Sequence, residues 1–316
     1  MEKVFEYPSS DGKTSLHAEM YLPKGQPTAV LQITHGMVEH IGRYQPFAEW
    51  LCERGFAVVG HDHLGHGATG RREDWGYFCE DHPAATLVED MHRLRLRTQQ
   101  AFPGLPYYML GHSMGSYLLR AYLTLHGEGL NGAVVMGTGF MAPSTAKAAL
   151  AIIRVMTAVK GSRYRSKTIE GLVFGKEYQR YDLTGKDTKN SWLTRDEKIV
   201  AQYYSDPRTT FKFTLNGYRG LVEAVALSCD AHAAEKMPKK LPVLLISGAE
   251  DPVGGFGTGV RQTEFQMKHG GIEDLTLCLL EGQRHEVLNE LGREDNYQYI
   301  YDWMLSRLPE RGAETV

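Results

Sequence analysis

Short apolar runs and helical periods alternate along the first third of the chain. Ala29–Thr34 (AVLQIT) predicts a buried strand that ends at His35-Gly36. Between Tyr44 and Arg54 the apolar positions Phe47, Trp50 and Leu51 fall at helical spacing, and Gly55 supplies a stop. Phe56–Gly60 (FAVVG) is the next strand, followed by the loop HDHLGHG. Thr86–Gln100 predicts a helix whose acidic residues, Glu89 and Asp90, precede its arginines, as the helix dipole favours. Tyr107–Leu110 (YYML) predicts a strand, Ser116–His126 a helix ending before Gly127, and Ala133–Met136 (AVVM) another strand. Strand and helix in this rhythm imply an α/β fold, a mostly parallel, doubly wound sheet covered on both faces.

The rhythm then breaks. After Met136 the next convincing strand is Val243–Ser247 (VLLIS), roughly a hundred residues later, where an α/β connection normally needs a few residues and one helix. The gap predicts an inserted helical cap. It contains helical stretches at Ser144–Lys160, Thr194–Tyr204 and Leu221–His232, and a polar region from Gly161 to Lys189. Leu275–Leu280 (LTLCLL) predicts the last strand and Tyr297–Leu308 a closing helix. The expected organisation is a core in two parts, 1–140 and 236–316, split by a cap at 141–235. The first cap helix, Ala148–Val159, is apolar on most sides and is expected to pack against the core.

Composition narrows the partners. The 316 residues are 42% hydrophobic and 23% charged, which excludes a disordered chain. With 35 Lys plus Arg against 38 Asp plus Glu the formal charge is −3, so there is no global attraction to nucleic acid. A small, weakly charged ligand suits this balance better than a polymer. Cys52, Cys79, Cys229 and Cys278 form no C-x-x-C pair, and four buried thiols in a reducing cytosol is the expectation. The polar stretch Met1–Ser15 has no apolar signal region, and Ala148–Val159, at about twelve residues, is too short to span a membrane. A cytoplasmic location is the expectation.

Gly111-His112-Ser113-Met114-Gly115 carries the chemistry. A G-x-S-x-G pentapeptide alone is a weak signal, but this one directly follows a strand and directly precedes a helix, the setting of a nucleophile elbow. In such a turn a side chain at either glycine would collide with the neighbouring strand or helix, and the serine must accept strained dihedrals. Its hydroxyl needs a base, and the base a carboxylate to orient it. Asp251 follows the strand VLLIS in GAEDP, with Glu250 as its local rival, and His285 follows LTLCLL in EGQRH. Both stand where loops at the carboxyl edge of the sheet would present them, in the order Ser, Asp, His. The histidines His61, His63 and His66 crowd one loop, but no H-E-x-x-H helix accompanies them and no metal or cofactor is expected. Gly65 and Gly67 suit a tight loop there, with Asp62 accepting from backbone amides. Acyl transfer also needs donors for a developing oxyanion, and the backbone N–H groups of Met114 and Met37 are the candidates.

Taken in order, HGMVEHIGRY, HDHLGHG, GHSMGS, GAEDPVG and RHEVLNE resemble the monoacylglycerol lipase and lysophospholipase branch of the α/β-hydrolases. The resemblance covers nearly the whole chain outside the cap. It implies a Ser113–Asp251–His285 triad, an oxyanion hole from Met37 and Met114, and a cap over an acyl-binding channel. His35, Gly36, Glu39, His40 and His112 are then expected to support the site, with Arg43 bracing the oxyanion loop. Ser116 and Thr69 depart from the pattern, where relatives commonly carry glycine and serine. The expected activity is hydrolysis of a small-molecule acyl ester, with transient contact to lipid aggregates through the cap. Two other readings remain: a peptidase-like amide hydrolase, and a hydrolase fold used only for binding.

Overall fold

The computed structural model describes residues 2–309; Met1 and the last seven residues of the expected second core part lie outside the described residues. Eight strands form one sheet: β1 (Glu2–Pro8), β2 (Ser15–Tyr21), β3 (Ala29–Thr34), β4 (Phe56–His61), β5 (Tyr107–His112), β6 (Gly132–Met136), β7 (Val243–Gly248) and β8 (Leu275–Leu280). Their order is β1-β2-β4-β3-β5-β6-β7-β8. From β4 to β8 all pairings are parallel, while β2 joins β4 antiparallel and β1 pairs with β2 as a hairpin. Every residue of β3, β4, β5, β6 and β7 is buried. That is why these segments read as unbroken apolar runs.

Successive strand residues serve two cores. On one face Tyr107 and Met109 pack with helices α2 (Pro83–Ala101), α3 (Met114–His126) and α8 (Thr258–His269). On the other, Tyr108 and Leu110 pack with α1 (Gln45–Cys52) and α9 (Arg293–Leu305). Each fully buried Leu, Phe or Met adds about 1.5–3 kcal/mol of transfer free energy, so these two layers hold the sheet in place beneath the site.

The chain between β6 and β7 carries α4 (Pro143–Lys160), α5 (Lys167–Val173), α6 (Glu197–Ser205) and α7 (Leu215–Ser228). Asp196 caps α6 by accepting from the Lys198 and Ile199 N–H groups, and Thr214 caps α7 through the Gly217 N–H. Helix α7 lies against α2 and α3, and α4 rests on α7. The expectation that α4 packs against the core holds for one face, through Ala146, Ala149, Leu150, Ile153 and Met156, and not for the other. Only Ala146 and Ile153 of this helix are buried, while Ile152, Val155 and Val159 face outward. The helix is mostly apolar because two faces are apolar, and α7 covers only one. Among the described residues, no helix is long and apolar enough to cross a membrane.

The hairpin is tied to α2 through Asp90, whose carboxylate accepts from the Ser9 hydroxyl at 2.8 Å and the Ser10 N–H at 2.6 Å. Burial disfavours its charged form and pushes the carboxyl from 3.8 up to about 6, against the opposing pull of these serines. The folded chain therefore holds this proton more tightly than the unfolded one, and stability falls as pH rises from about 4 to about 6. Asp90→Asn is expected to remove that slope and to raise stability at pH 7 by up to about 3 kcal/mol. Urea unfolding at a series of pH values measures it; an unchanged slope in the variant contradicts the assignment.

Candidate active site

Strand β5 turns into α3 at Ser113, which sits at φ 53° and ψ −119°. A left-handed φ at a residue with a Cβ costs about 1–3 kcal/mol and persists only where the surroundings fix it. Here the glycines do so. A Cβ on Gly111 would lie 2.3 Å from the Gly115 carbonyl oxygen, and one on Gly115 would lie 2.1 Å from that of Thr34. The helix start is thus pressed against the end of β3, and the strand-to-helix corner that the sequence predicts is present. Ser116 donates from its hydroxyl to the Ser113 carbonyl at 2.6 Å, so the departure from glycine here adds a brace. The other departure, Thr69, donates to the Asp62 carbonyl at 2.7 Å and stays outside the site.

His285 and Asp251 meet over the same edge. The His285 Nδ1–H donates to Asp251 Oδ2 at 2.9 Å, which leaves Nε2 free to act as a base. Asp251 is fully buried, and it also accepts from the Ser247 hydroxyl at 3.1 Å and the Val253 N–H at 2.8 Å. Glu250 is half exposed beside Arg284 at 3.9 Å and does not compete. A Cβ on Gly137 would come within 3.1 Å of the His285 ring, so the loop after β6 must be bare at that point. Ser113 Oγ has no hydrogen-bond partner among the described residues; contacts of this kind often close only around a substrate. The sequence reading missed Trp192, whose ring lies 4.9 Å from that of His285 and covers it from the insertion. The His285 and Glu286 N–H groups donate to the carbonyls of Trp192 and Leu193, so this segment also fixes the loop.

The turn after β3 lies against the serine. A Cβ on Gly36 would lie 3.0 Å from Ser113 Cβ and 2.6 Å from Glu39 Oε1. Among the described residues neither the Met37 nor the Met114 N–H has an acceptor, so two free donors flank Ser113. Val38, next in the turn, takes a left-handed φ of 55°.

Glu39 organises what lies beneath. Its Oε1 accepts from the Gly36 N–H at 2.5 Å, the Tyr44 hydroxyl at 2.9 Å and His112 Nδ1 at 2.9 Å. Its Oε2 accepts from Arg43 at 2.9 Å, and Arg43 also grips both oxygens of Glu286 at 2.7 Å. Burial alone would raise the Glu39 carboxyl, but His112 and Arg43 hold it well below the ordinary carboxylate range. Burial would likewise lower His112, yet Glu39 raises it above the ordinary imidazole value. This cluster joins the Gly36 turn, the residue before Ser113 and the residue after His285. Glu286 was not singled out from sequence, and His40, itself buried, turns away from this cluster to Asp206 at 3.4 Å.

The crowded histidines bond to one another and to the backbone. His61 donates to His63 Nδ1 at 3.1 Å, and His63 Nε2–H donates to the His35 carbonyl at 3.3 Å. His35 Nε2 accepts from the His63 N–H at 3.0 Å while its Nδ1–H donates to the Gly36 carbonyl at 2.8 Å. Burial depresses all of them, His61 to about 3 and His66 to about 4, so the rings are neutral at pH 7. Asp62 accepts from the Ile41 N–H at 2.8 Å and the Ala68 N–H at 2.7 Å, the role expected of it.

Glu39→Gln removes the charge that favours the His112 imidazolium and leaves Arg43 with one carboxylate fewer. It is expected to lower stability by about 3–5 kcal/mol, the usual cost of breaking a buried ion pair. The His112 imidazole should then titrate at lower pH. Denaturant unfolding and NMR titration of the ring check both; an unmoved His112 contradicts the network.

The family model described as serine aminopeptidase, S33 matches residues 25–292. Human monoglyceride lipase is 27% identical over 312 residues, which cover 96% of this chain and 91% of that protein. The monoacylglycerol lipase of Mycolicibacterium smegmatis is 25% identical over 298 residues, covering 92% of each. Among solved structures, a highly thermostable carboxyl esterase from Bacillus coagulans in complex with glycerol is similar at a TM-score of 0.88 and 29% identity. That likeness covers 96% of this chain and 98% of the esterase. Sheet and insertion are both inside these matches, and the fold is the α/β-hydrolase fold. The chain belongs to the serine aminopeptidase S33 family of α/β-hydrolases.

Proposed function

We propose that this protein is a serine carboxylic-ester hydrolase of the monoacylglycerol lipase and lysophospholipase type. One arrangement carries the reading: a strained serine between two unpaired backbone donors, beside a histidine already paired to a buried aspartate. Ser113 Oγ attacks the ester carbonyl carbon while its proton passes to His285 Nε2. The carbonyl oxygen becomes an oxyanion held by the Met37 and Met114 N–H groups, each such donor being worth about a hundred- to a thousandfold in rate. Collapse expels the alcohol, which takes the proton from His285 and leaves Ser113 acylated. Water, deprotonated by His285, then attacks the acyl carbon and releases the acid and the free serine. Asp251 holds the ring in the correct tautomer and stabilises its cation. The similarity to two monoacylglycerol lipases supports a glycerol monoester as the substrate class.

In this reading segment 141–235 is a cap over an acyl-binding channel, and its outer face touches lipid aggregates. Ile152, Val155 and Val159 fall on one side of α4 at 45%, 65% and 72% exposure, with Leu172 of α5 at 64%. An exposed apolar stripe of this kind suits a lipid surface. Its four unpaired cysteines suit the reducing cytoplasm.

Ser113→Ala is expected to abolish hydrolysis of p-nitrophenyl esters, a loss of about a millionfold in kcat, together with labelling by a fluorophosphonate. Labelling that survives in this variant overturns the assignment. Aminoacyl amides, compared with monoacylglycerols on the native enzyme, test the peptidase reading: faster amide cleavage favours it. Val155→Asp with Val159→Asp should lower turnover of emulsified long-chain monoacylglycerol at least severalfold relative to a soluble short-chain ester. An unchanged ratio removes the lipid-contact role from α4.

A further inference from the structure

Val38 is a buried, β-branched residue in the left-handed region, one position after the proposed oxyanion donor Met37. Such a side chain disfavours this φ more than most, so something outside the residue must hold it there. On its N-terminal side the turn is pinned where Glu39 accepts from the Gly36 N–H. On its C-terminal side it is pinned where Asp62 accepts from the Ile41 N–H. Between these points both polar backbone groups of Val38 are occupied. Its N–H donates to His66 Nε2 at 3.3 Å, and its carbonyl accepts from the Tyr203 hydroxyl at 3.2 Å.

The two partners come from different parts of the fold. His66 belongs to the loop after β4 and can accept at Nε2 because its Nδ1–H donates to the Leu64 carbonyl at 3.0 Å. Its ring is wedged against Phe78, Phe211 and Phe213, with centroids 5.3–5.7 Å away. Tyr203 lies on α6, and Phe211 and Phe213 follow that helix in the same insertion. Both halves of the grip on Val38 therefore depend on where the segment 197–213 sits.

We propose that His66 and Tyr203 are positioning residues that clamp the Val38 backbone and thereby aim the Met37 N–H at the oxyanion, so that the seating of α6 sets catalytic competence. The inference rests on the assignment of Met37 in the proposed function. If either jaw is lost, Val38 leaves the left-handed region and swings Met37 relative to the anchored Glu39 and Ile41. A misplaced donor weakens the transition state and leaves ground-state binding alone, so kcat falls and KM does not.

The test is a double-mutant cycle read with a soluble p-nitrophenyl ester. Tyr203→Phe keeps the ring, including its contact with Arg43, and removes only the hydroxyl. It is expected to lower kcat about tenfold, equivalent to about 1.4 kcal/mol in the barrier, with KM changed less than about twofold. Fluorophosphonate labelling should slow by the same factor. In the Val38→Gly background the same substitution should cost less than about threefold, because glycine has no bias against positive φ. His66→Phe, which keeps a ring among the three phenylalanines but removes the acceptor, should repeat the pattern from the other jaw. Thermal unfolding of each variant confirms that it is folded. Equal losses in both backgrounds, or losses confined to KM, overturn the clamp while labelling of the native Ser113 still upholds the hydrolase reading. A native enzyme that takes no label fails the hydrolase reading instead.

Discussion

The close approach of α3 to the end of β3 is the constraint from which the rest of the site follows. With no side chain at Gly111 or Gly115, the helix start meets the Thr34 and His35 carbonyls directly. The chain can make that corner only by placing Ser113 at a positive φ. The consequence is geometric: the serine projects above the carboxyl edge of the sheet while the Met114 N–H, the first of α3, has no acceptor among the described residues. Strain of this kind is sustained by the two buried layers on either side of the sheet, which hold strand and helix in register. The loops after β3, β6, β7 and β8 then have one fixed point to converge on.

A buried ionic cluster makes that convergence stiff. Burying Glu39, Arg43, His112 and Glu286 together costs several kcal/mol of desolvation per ion, and a simple pair would barely recover it. Here Glu39 accepts four hydrogen bonds and Arg43 binds two carboxylates, one of them in bidentate fashion. The return is positional, because the cluster links the Gly36 turn to His112, the residue before Ser113, and to Glu286, the residue after His285. An apolar cluster of the same volume could fill the space but could not fix the direction of the Gly36 N–H.

Much of this was legible in the chain because it is locally encoded. Strands β3 to β7 are buried on both faces and so appear as apolar runs; Ser113 and Asp251 each follow such a run, and His285 follows the half-buried but equally apolar β8, which fixes the edge they occupy. The hairpin β1–β2 was missed for the opposite reason. In β1 only Tyr7 is buried, and EKVFEYP gives no clean alternation. Helix α8 (TGVRQTEFQMKH) is mostly polar and buries only Val260, Thr263 and Met267, too thin a stripe to stand out. Trp192, Tyr203 and Glu286 belong to the site through contacts across tens to hundreds of residues, and no local pattern marks them. Val38 is instructive: nothing in HGMVEH signals a left-handed valine, because the conformation is imposed by His66 and Tyr203 from outside.

The histidines show how far identity underdetermines chemistry. His35, His61, His63 and His66 lie in one pocket of aromatic rings and backbone, where burial without a nearby carboxylate partner keeps each neutral, donating on one nitrogen and, for three of them, accepting on the other. A neutral ring can orient a peptide group in both directions, which is what the turn after β3 requires. His112 is equally buried, but Glu39 sits 2.9 Å away and favours the cation. Its ring lies 4.6 Å from that of His285. Removing the acidic partner of His112 would therefore change the charge favoured beside the His285 ring without touching any atom of Ser113, Asp251 or His285.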